Sequence, residues 1–361
     1  MKTNATKTSF TKNLLLWNKK LNKREMPWKG EKDPYKIWLS EIILQQTRVE
    51  QGWEYYNRFI KTYPTVKKLA NAPDEKVFKL WEGLGYYSRC KNLLSTARFI
   101  AKEKNGKFPD TYEDILALKG IGPYTAAAIA SFAFNLPYAV LDGNVFRVLA
   151  RYFGISKDIN NSTAKKTFSI LANELLDIKL PGIYNQAIMD FGALLCKPQN
   201  PLCAGCPLKK ECVAFLSNSV NKLPVKTKQL ARKKRWFYYQ VIEYNGKIYV
   251  QKRTGKDIWQ NLYEFLLVET TKKTPIEKIK TTTLFKKLLQ NNESTIRFVS
   301  KLYSQHLSHQ TIEGAFVHIK MKKAPALKGL EVVPISRIPE LAFPRFITRY
   351  LAESGYKAFE R

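Results

Sequence analysis

Four cysteines fall within 17 residues, spaced Cys196-x6-Cys203-x2-Cys206-x5-Cys212. Thiolates at that density bind metal where the compartment is reducing. The opening stretch MKTNATKTSFTKN lacks the apolar core of a secretory signal, so a metal is expected here rather than disulfides. Structural zinc sites usually pair two short Cys-x2-4-Cys knuckles. Only Cys203 and Cys206 form such a pair, which leaves the kind of metal open at this point. The fifth cysteine, Cys90, reads as a buried apolar side chain.

A second chemistry belongs to two carboxylates. Glu41 sits inside the apolar run 37–44 of PYKIWLSEIILQQTRV, residues 34–49. On a helical wheel it lies between Ile37 and Trp38, with Gln45 one turn on. A carboxylate in such a place needs a partner or a task. Desolvation would raise its pKa and let it hold a proton near neutral pH, as a general acid must. A structural glutamate paired with a Lys or Arg fits the same pattern. Asp142, in Leu141-Asp142-Gly143-Asn144-Val145, is placed to cap the next helix. Held by backbone N–H groups, it is expected to keep a low pKa and stay ionised. Two carboxylates in opposed environments can cleave a glycosidic bond, provided they meet in space.

The elements that must position these groups are helical. Asp33 and Pro34 read as an N-cap and first-turn proline for the Glu41 helix. Helices are predicted near 8–20, 34–47, 49–61, 74–82, 86–104, 111–117, 123–133, 144–153, 162–178, 183–195 and 207–216. Between two of them stands Leu118-Lys119-Gly120-Ile121-Gly122-Pro123-Tyr124, then a run of small residues. Gly120 and Gly122 let the backbone approach a ligand, and the helix that follows offers free N–H groups to a phosphate. A Gly-x-Gly turn that merely packs two helices has the same sequence.

Residues 217–235 lack periodicity and carry a basic run (Lys226, Lys228, Arg232, Lys233, Lys234, Arg235), as a linker would. Beyond it the texture changes to strands around Asn245-Gly246, a hairpin signal, with another strand over 313–321 and a closing helix near 344–353. The expected organisation is multidomain: an all-α domain over 1–216, a linker over 217–235 and an α+β domain over 236–361. Lys and Arg total 61 against 30 acidic residues, a net charge of +31, which favours a polyanionic partner. No apolar run is long enough to span a membrane.

Residues 8–216 resemble the catalytic region of the A/G-specific adenine DNA glycosylases, in the iron–sulfur helix-hairpin-helix superfamily. The likeness is carried by Trp38-Leu39-Ser40-Glu41, Leu44-Gln45-Gln46-Thr47, Gly83-Leu84-Gly85-Tyr86-Tyr87, the Gly-x-Gly hairpin, Leu141-Asp142-Gly143-Asn144 and the four cysteines, in the family's order. Residues 224–361 resemble that family's Nudix-like C-terminal domain, without an acidic Nudix box. The resemblance implies one 4Fe-4S cluster on Cys196, Cys203, Cys206 and Cys212, and excision of adenine from A:8-oxoguanine and A:G pairs in double-stranded DNA. It implies that Glu41 protonates adenine at N7 and then activates water, and that Asp142 stabilises the oxocarbenium-like sugar or bonds to it transiently. Tyr124 and Asn144 would support the sugar and the water. Gln46, Leu84 and Tyr86 would fill the gap left by the flipped base. Trp28 would line the adenine pocket.

By the same resemblance Ser308 and His309 belong to a loop that reads 8-oxoguanine, with Leu307 in place of the usual phenylalanine. Leu266 stands where proline is usual, and Lys29 where arginine is usual. Relatives that cut the backbone carry a Schiff-base lysine at the position of Tyr124, and a phenol cannot form an imine. The expected enzyme is therefore monofunctional, without strong lyase activity; it is also expected to be a cytoplasmic monomer associated with the nucleoid through DNA binding. Two other readings compete with it: a pyrimidine-type glycosylase with lyase activity, and a non-catalytic iron–sulfur DNA-binding protein.

Overall fold

A computed structural model of the chain describes residues 4–227, 233–283, 285–286, 294–325 and 329–354. It divides into two compact units, Met1–Asn71 with Lys91–Lys228, and Ala72–Cys90 with Gln229–Arg361. Of the basic run in the expected linker, Lys228 and Arg232 lie outside the described residues.

Twelve helices precede the sheet among the described residues. They are α1 (Asn4–Leu21), α2 (Pro34–Leu44), α3 (Val49–Thr62), α4 (Val66–Ala70), α5 (Asp74–Trp81), α6 (Tyr87–Glu103), α7 (Tyr112–Leu116), α8 (Pro123–Phe134), α9 (Gly143–Phe153), α10 (Ser162–Leu175), α11 (Pro181–Leu194) and α12 (Val213–Leu216). The first unit is built on a core to which α1 gives Phe10, Leu14 and Trp17, spaced i, i+4, i+7. Val145, Val148 and Leu149 of α9, with Tyr184, Ile188 and Phe191 of α11, complete its centre.

Local chemistry sets several boundaries. Asp33 caps α2 by accepting from Tyr35 N at 2.9 Å, as its position next to Pro34 predicts. The helix stops at Leu44, three residues short of the expected end. Thr47 N turns back onto Leu44 O at 3.1 Å, and Gln46 takes a left-handed φ of +56°. Gln45 and Gln46 thus belong to a turn and not to the helix. α10 ends at Leu175 because the Asp177 side chain accepts from Lys179 N and Leu180 N, at 2.9 and 3.1 Å, and diverts the backbone. Over 207–216 the expected helix divides into a 3-10 turn, Lys209–Glu211, and α12, with Cys212 between them. α4 was not foreseen; at five residues it has too little pattern to be read.

The second unit contains an eight-stranded mixed sheet. Its strands are β1 (Lys233–Tyr244), β2 (Lys247–Lys252), β3 (Tyr263–Glu264), β4 (Leu266–Thr270), β5 (Ser294–Val299), β6 (Tyr303–His306), β7 (Gln310–Met321) and β8 (Glu331–Pro334). The main path runs β3-β2-β1-β7-β5, with β4 on β1, β6 on β7 and β8 on β2. The β1–β2 hairpin turns at Asn245-Gly246, both at positive φ, in register Tyr244↔Lys247. β1 begins at Lys233, so the last three residues of the expected linker are strand.

Trp236 to Ile242 are all buried, where a strand with one solvated face would alternate. The reason is that both faces of the sheet are covered. On one, Tyr239 and Phe316 pack under Phe346 and Tyr350 of α14 (Arg345–Glu353), with Phe316 and Tyr350 stacked at 3.8 Å. On the other, Tyr238, Ile242 and Val317 pack with Ile279 of α13 (Ile276–Lys280).

Candidate active site and cysteine loop

α2 carries Glu41 into the first unit, where the residue is only 7% exposed. Burial pushes its carboxyl up to about 7. The Tyr124 hydroxyl, from the first turn of α8, hydrogen-bonds the carboxylate and draws the pKa back, while the charge of Asp142 raises it further. The same hydroxyl oxygen lies 3.5 Å from Met189 Sδ. Glu41, Tyr124 and Asp142 act on one another electrostatically, so three elements deliver them to one place.

Asp142 caps α9, accepting from Val145 N at 2.8 Å with Oδ1 and from Asn144 Nδ2 at 2.7 Å with Oδ2. The expectation of a low pKa fails. Burial outweighs these hydrogen bonds and the nearby Arg147 charge, and the carboxyl is shifted up overall. A cap alone does not guarantee an ionised carboxylate once the cap is buried.

Asn144 links two charges. Its Oδ1 accepts from Arg147 at 2.8 Å, and the same guanidinium donates to Gly192 O at 2.8 Å and Cys196 O at 2.6 Å. α11 comes so close here that a Cβ on Gly192 would stand 2.7 Å from Asn144 Cβ. Only glycine permits that approach.

A cavity of about 210 Å³ opens beside Glu41, lined by Trp28, Lys29, Ser40, Phe132 and Gln186 among others. It falls below the roughly 300 Å³ at which drug-sized pockets begin, a scale suited to a small ligand. Trp28 is held edge-on to Tyr56 at 5.3 Å. Gln186 Nε2 donates to Asp190 Oδ1 at 3.0 Å, and fully buried Asp190 also accepts from Arg24, Lys29 and Asn22. Sequence reading passed over Gln186, Asp190 and Arg147. The signal was available: an aspartate inside the apolar helix PGIYNQAIMDFGAL poses the same question as Glu41.

The hairpin forms where expected. Gly120 takes φ +82°, Gly122 caps α8, and Thr96 Oγ ties Lys119 O to α6 at 2.8 Å. Gln46 is exposed at the end of α2. Leu84, Tyr86, Ser308 and His309 all belong to the second unit. Leu84 is buried at 6% exposure, whereas Tyr86 is exposed at 42%. Ser308 and His309 stand exposed on the turn between β6 and β7, with Ser308 Oγ 3.2 Å from His309 Nδ1.

All four cysteines line one small cavity with Val148, Tyr152, Phe191 and Leu208. Among the described residues, no three His, Cys, Asp or Glu side chains converge tightly enough to hold a single metal ion. The donor set is four thiols around a shared apolar hollow, the donor chemistry that a thiolate-held metal centre requires. Arg151 donates to Cys196 Sγ at 3.5 Å, Lys197 O at 2.7 Å and Pro198 O at 3.2 Å, which fixes the start of the loop. Glu211 secures its end, accepting from Ser9 at 2.8 Å and Tyr152 at 2.9 Å.

Family models match both halves of the sequence. A model of the HhH-GPD superfamily of base excision DNA repair proteins matches residues 39–174, and a NUDIX domain model matches 238–353. The adenine DNA glycosylase of Buchnera aphidicola subsp. Schizaphis graminum (strain Sg) is 36% identical over 305 residues, 84% of this chain and 85% of that protein. That of Buchnera aphidicola subsp. Baizongia pistaciae (strain Bp) is 39% identical over 259 residues, 71% of this chain and 73% of that protein. The solved structure of a thermostable thymine-DNA glycosylase aligns with a TM-score of 0.55 at 29% identity, covering 59% of this chain and 98% of that one. With a helical base-excision body, a Nudix-like body and relatives matched over most of their length, the chain belongs to the adenine DNA glycosylase family.

Proposed function

We propose that this base-excision enzyme hydrolyses the N-glycosidic bond of adenine paired with 8-oxoguanine or guanine in double-stranded DNA, and does so without cutting the backbone. One observation carries the reading: a buried carboxyl with a pKa near 7 forms a wall of a small cavity beside Trp28, and a second carboxylate acts on it. Glu41 in its acid form gives its proton to N7 of the flipped adenine. The C–N bond breaks with its electron pair going to the base, and positive charge develops on the sugar. Asp142 stabilises that charge as a carboxylate, or bonds to it transiently, and Asn144 holds Asp142 in place. Glu41, now ionised, takes a proton from the water that adds to the sugar, and so returns to its starting state.

Tyr124 supports the sugar and the water and offers no amine for an imine, so strong strand cleavage is not expected. Gly120 and Gly122 bring the hairpin backbone to a phosphate, and Gln46, Leu84 and Tyr86 occupy the gap left by the adenine. The exposed turn at Ser308 and His309 reads the 8-oxoguanine strand. Cys196, Cys203, Cys206 and Cys212 would hold a 4Fe-4S cluster, which would supply a rigid cross-link to the loop. The net charge of +31 favours DNA as the partner of a cytoplasmic monomer.

The test is single-turnover reaction of a duplex with one A:8-oxoguanine pair, with and without hot alkali. Breaks only after alkali are expected. Breaks without alkali would move the assignment to a lyase, and binding without adenine release would leave a non-catalytic protein. Purified protein should be brown with about four irons, the content of the cluster its four cysteines would hold; a colourless zinc protein would overturn the cluster.

A further inference from the structure

Residues Ala72–Cys90 form one compact unit with Gln229–Arg361, although they lie within the helical half of the sequence. Hydrogen bonds between these two stretches meet at Glu82. Its Oε1 accepts from Phe343 N at 2.9 Å, and its Oε2 pairs with Lys79 Nζ at 2.5 Å. Lys79 Nζ in turn donates to Leu341 O at 3.0 Å. Glu75 and Lys252 add a surface ion pair at 3.0 Å. The strand-like piece that receives these bonds is rigid. Ala342 O accepts from Tyr263 N at 2.9 Å, and Phe343 is buried against Phe265 at 5.6 Å.

Immediately after Glu82 the chain makes the turn Gly83-Leu84-Gly85-Tyr86, with φ of +97°, +72° and +48° at Gly83, Gly85 and Tyr86. Trp81 Nε1 holds Gly85 O at 3.0 Å, and Arg89 holds both Leu84 O and Gly85 O at 3.2 Å. The Arg89 guanidinium also lies over the Trp81 and Tyr86 rings, at 5.2 and 5.5 Å. The turn is internally stiff, then, and it is tied to the C-terminal body through Glu82 and Lys79 just before it. A stiff turn on a loose mount would still present Tyr86 at a variable angle. Lys79 and Glu82 remove that freedom.

We propose that Glu82, with Lys79, is a positioning residue that locks the Tyr86 turn to the body carrying Ser308 and His309. Insertion of Tyr86 into the duplex and reading of the opposite base are then made by one rigid piece. This rests on the reading of Tyr86 as a residue that fills the gap left by adenine. Lys79 and Glu82 act through the geometry of the turn.

The test is a double-mutant cycle between Glu82→Ala and Tyr86→Ala. It is read by stopped-flow fluorescence of a 2-aminopurine beside the target adenine and by the single-turnover excision rate. Each single variant should slow the fluorescence change at least ten-fold, and the double variant should be no slower than Tyr86→Ala alone. Multiplicative losses would overturn the proposal, since a general loss of folding would add to any other defect. Lys79→Met, which leaves the Phe343 bond available, should show the same non-additivity with Tyr86→Ala even if Glu82→Ala fails to fold. A wild-type protein that releases no adenine would refute the functional reading. An active wild type with independent effects at residues 82 and 86, or at 79 and 86 where Glu82→Ala does not fold, would refute this inference alone.

Discussion

The negative charge of Asp142 reaches Glu41 and raises the pKa of the glutamate beyond what burial gives. The relationship joins the cap of α9 to the middle of α2 and makes the protonation of one carboxyl depend on the other. Burial shifts Glu41 up, Tyr124 restrains it by a hydrogen bond, and Asp142 lifts it, with a net value near 7. The proton that adenine needs is therefore held by a balance, and removing one contributor should move it in a known direction.

Tyr124→Phe takes away the hydrogen bond that lowers the Glu41 pKa. The acid form then persists to higher pH. The alkaline limb of the single-turnover rate, expected near 7 in the wild type, should move up by about half a unit or more in the variant. The maximal rate should fall modestly as the support for the carboxylate is lost. A pH–rate profile checks this, and a limb that stays in place or moves down would contradict the assigned coupling.

Glu41→Gln should abolish excision, retain binding to the lesion duplex, and stabilise the fold above neutral pH. The folded pKa of Glu41 lies above its unfolded value of 4.5, so the native state binds the extra proton between about 4.5 and 7. Wild-type stability accordingly falls as pH rises through that window, because the folded protein must ionise a buried group. The whole effect is on the order of 3 kcal/mol. Urea denaturation at pH 5 and pH 8 should show the variant's advantage growing toward pH 8. An advantage that shrinks with pH, or an active variant, would remove Glu41 from the role of acid.

The parts legible in the sequence were those with local signatures. Asp33-Pro34 fixed the start of α2, Asn245-Gly246 the β1–β2 hairpin and Gly120-x-Gly122 the entry to α8, because capping and positive φ are decided by neighbouring residues. Glu41 could be picked out because a carboxylate in an apolar run is improbable without cause. The raised pKa of Asp142 was not legible, since it depends on how deeply the packed fold buries the cap. The same holds for Arg147, whose partners Asn144, Gly192 and Cys196 lie up to 49 residues away. Nor could any pattern show that 72–90 packs with the C-terminal body, because isolated contacts such as Glu82 to Phe343 leave no periodicity.

Gly192→Ala probes the packing that holds Asn144. The new methyl would stand 2.7 Å from Asn144 Cβ and 3.2 Å from Asn144 Cα, with no flexible chain end to yield. Such overpacking costs about 1–3 kcal/mol. Because Asn144 also donates to Asp142, the excision rate should fall by ten-fold or more, with little change in affinity for the duplex. Thermal unfolding and single-turnover rates measure the two effects. A destabilised variant with an unchanged rate would show that the Asn144 contact to Asp142 is structural only.

Ser308→Ala tests the turn between β6 and β7 as the reader of the opposite strand. Leu307 N bonds back to Gln310 O at 2.8 Å and closes the turn, so its shape does not depend on the Ser308 side chain. Ser308 is exposed, and its replacement should change stability by less than about 0.5 kcal/mol. If the hydroxyl contacts the base opposite adenine, loss of one hydrogen bond of about 1–1.5 kcal/mol should reduce the rate advantage of A:8-oxoguanine over A:G by roughly five- to ten-fold. His309→Ala should act in the same direction, since Nδ1 lies 3.2 Å from the serine oxygen and helps orient it. The comparison needs two duplexes identical except for the oxidised guanine, assayed at subsaturating enzyme so that recognition contributes to the rate. Equal losses on both duplexes would place Ser308 in general DNA binding and remove it from the reading of 8-oxoguanine.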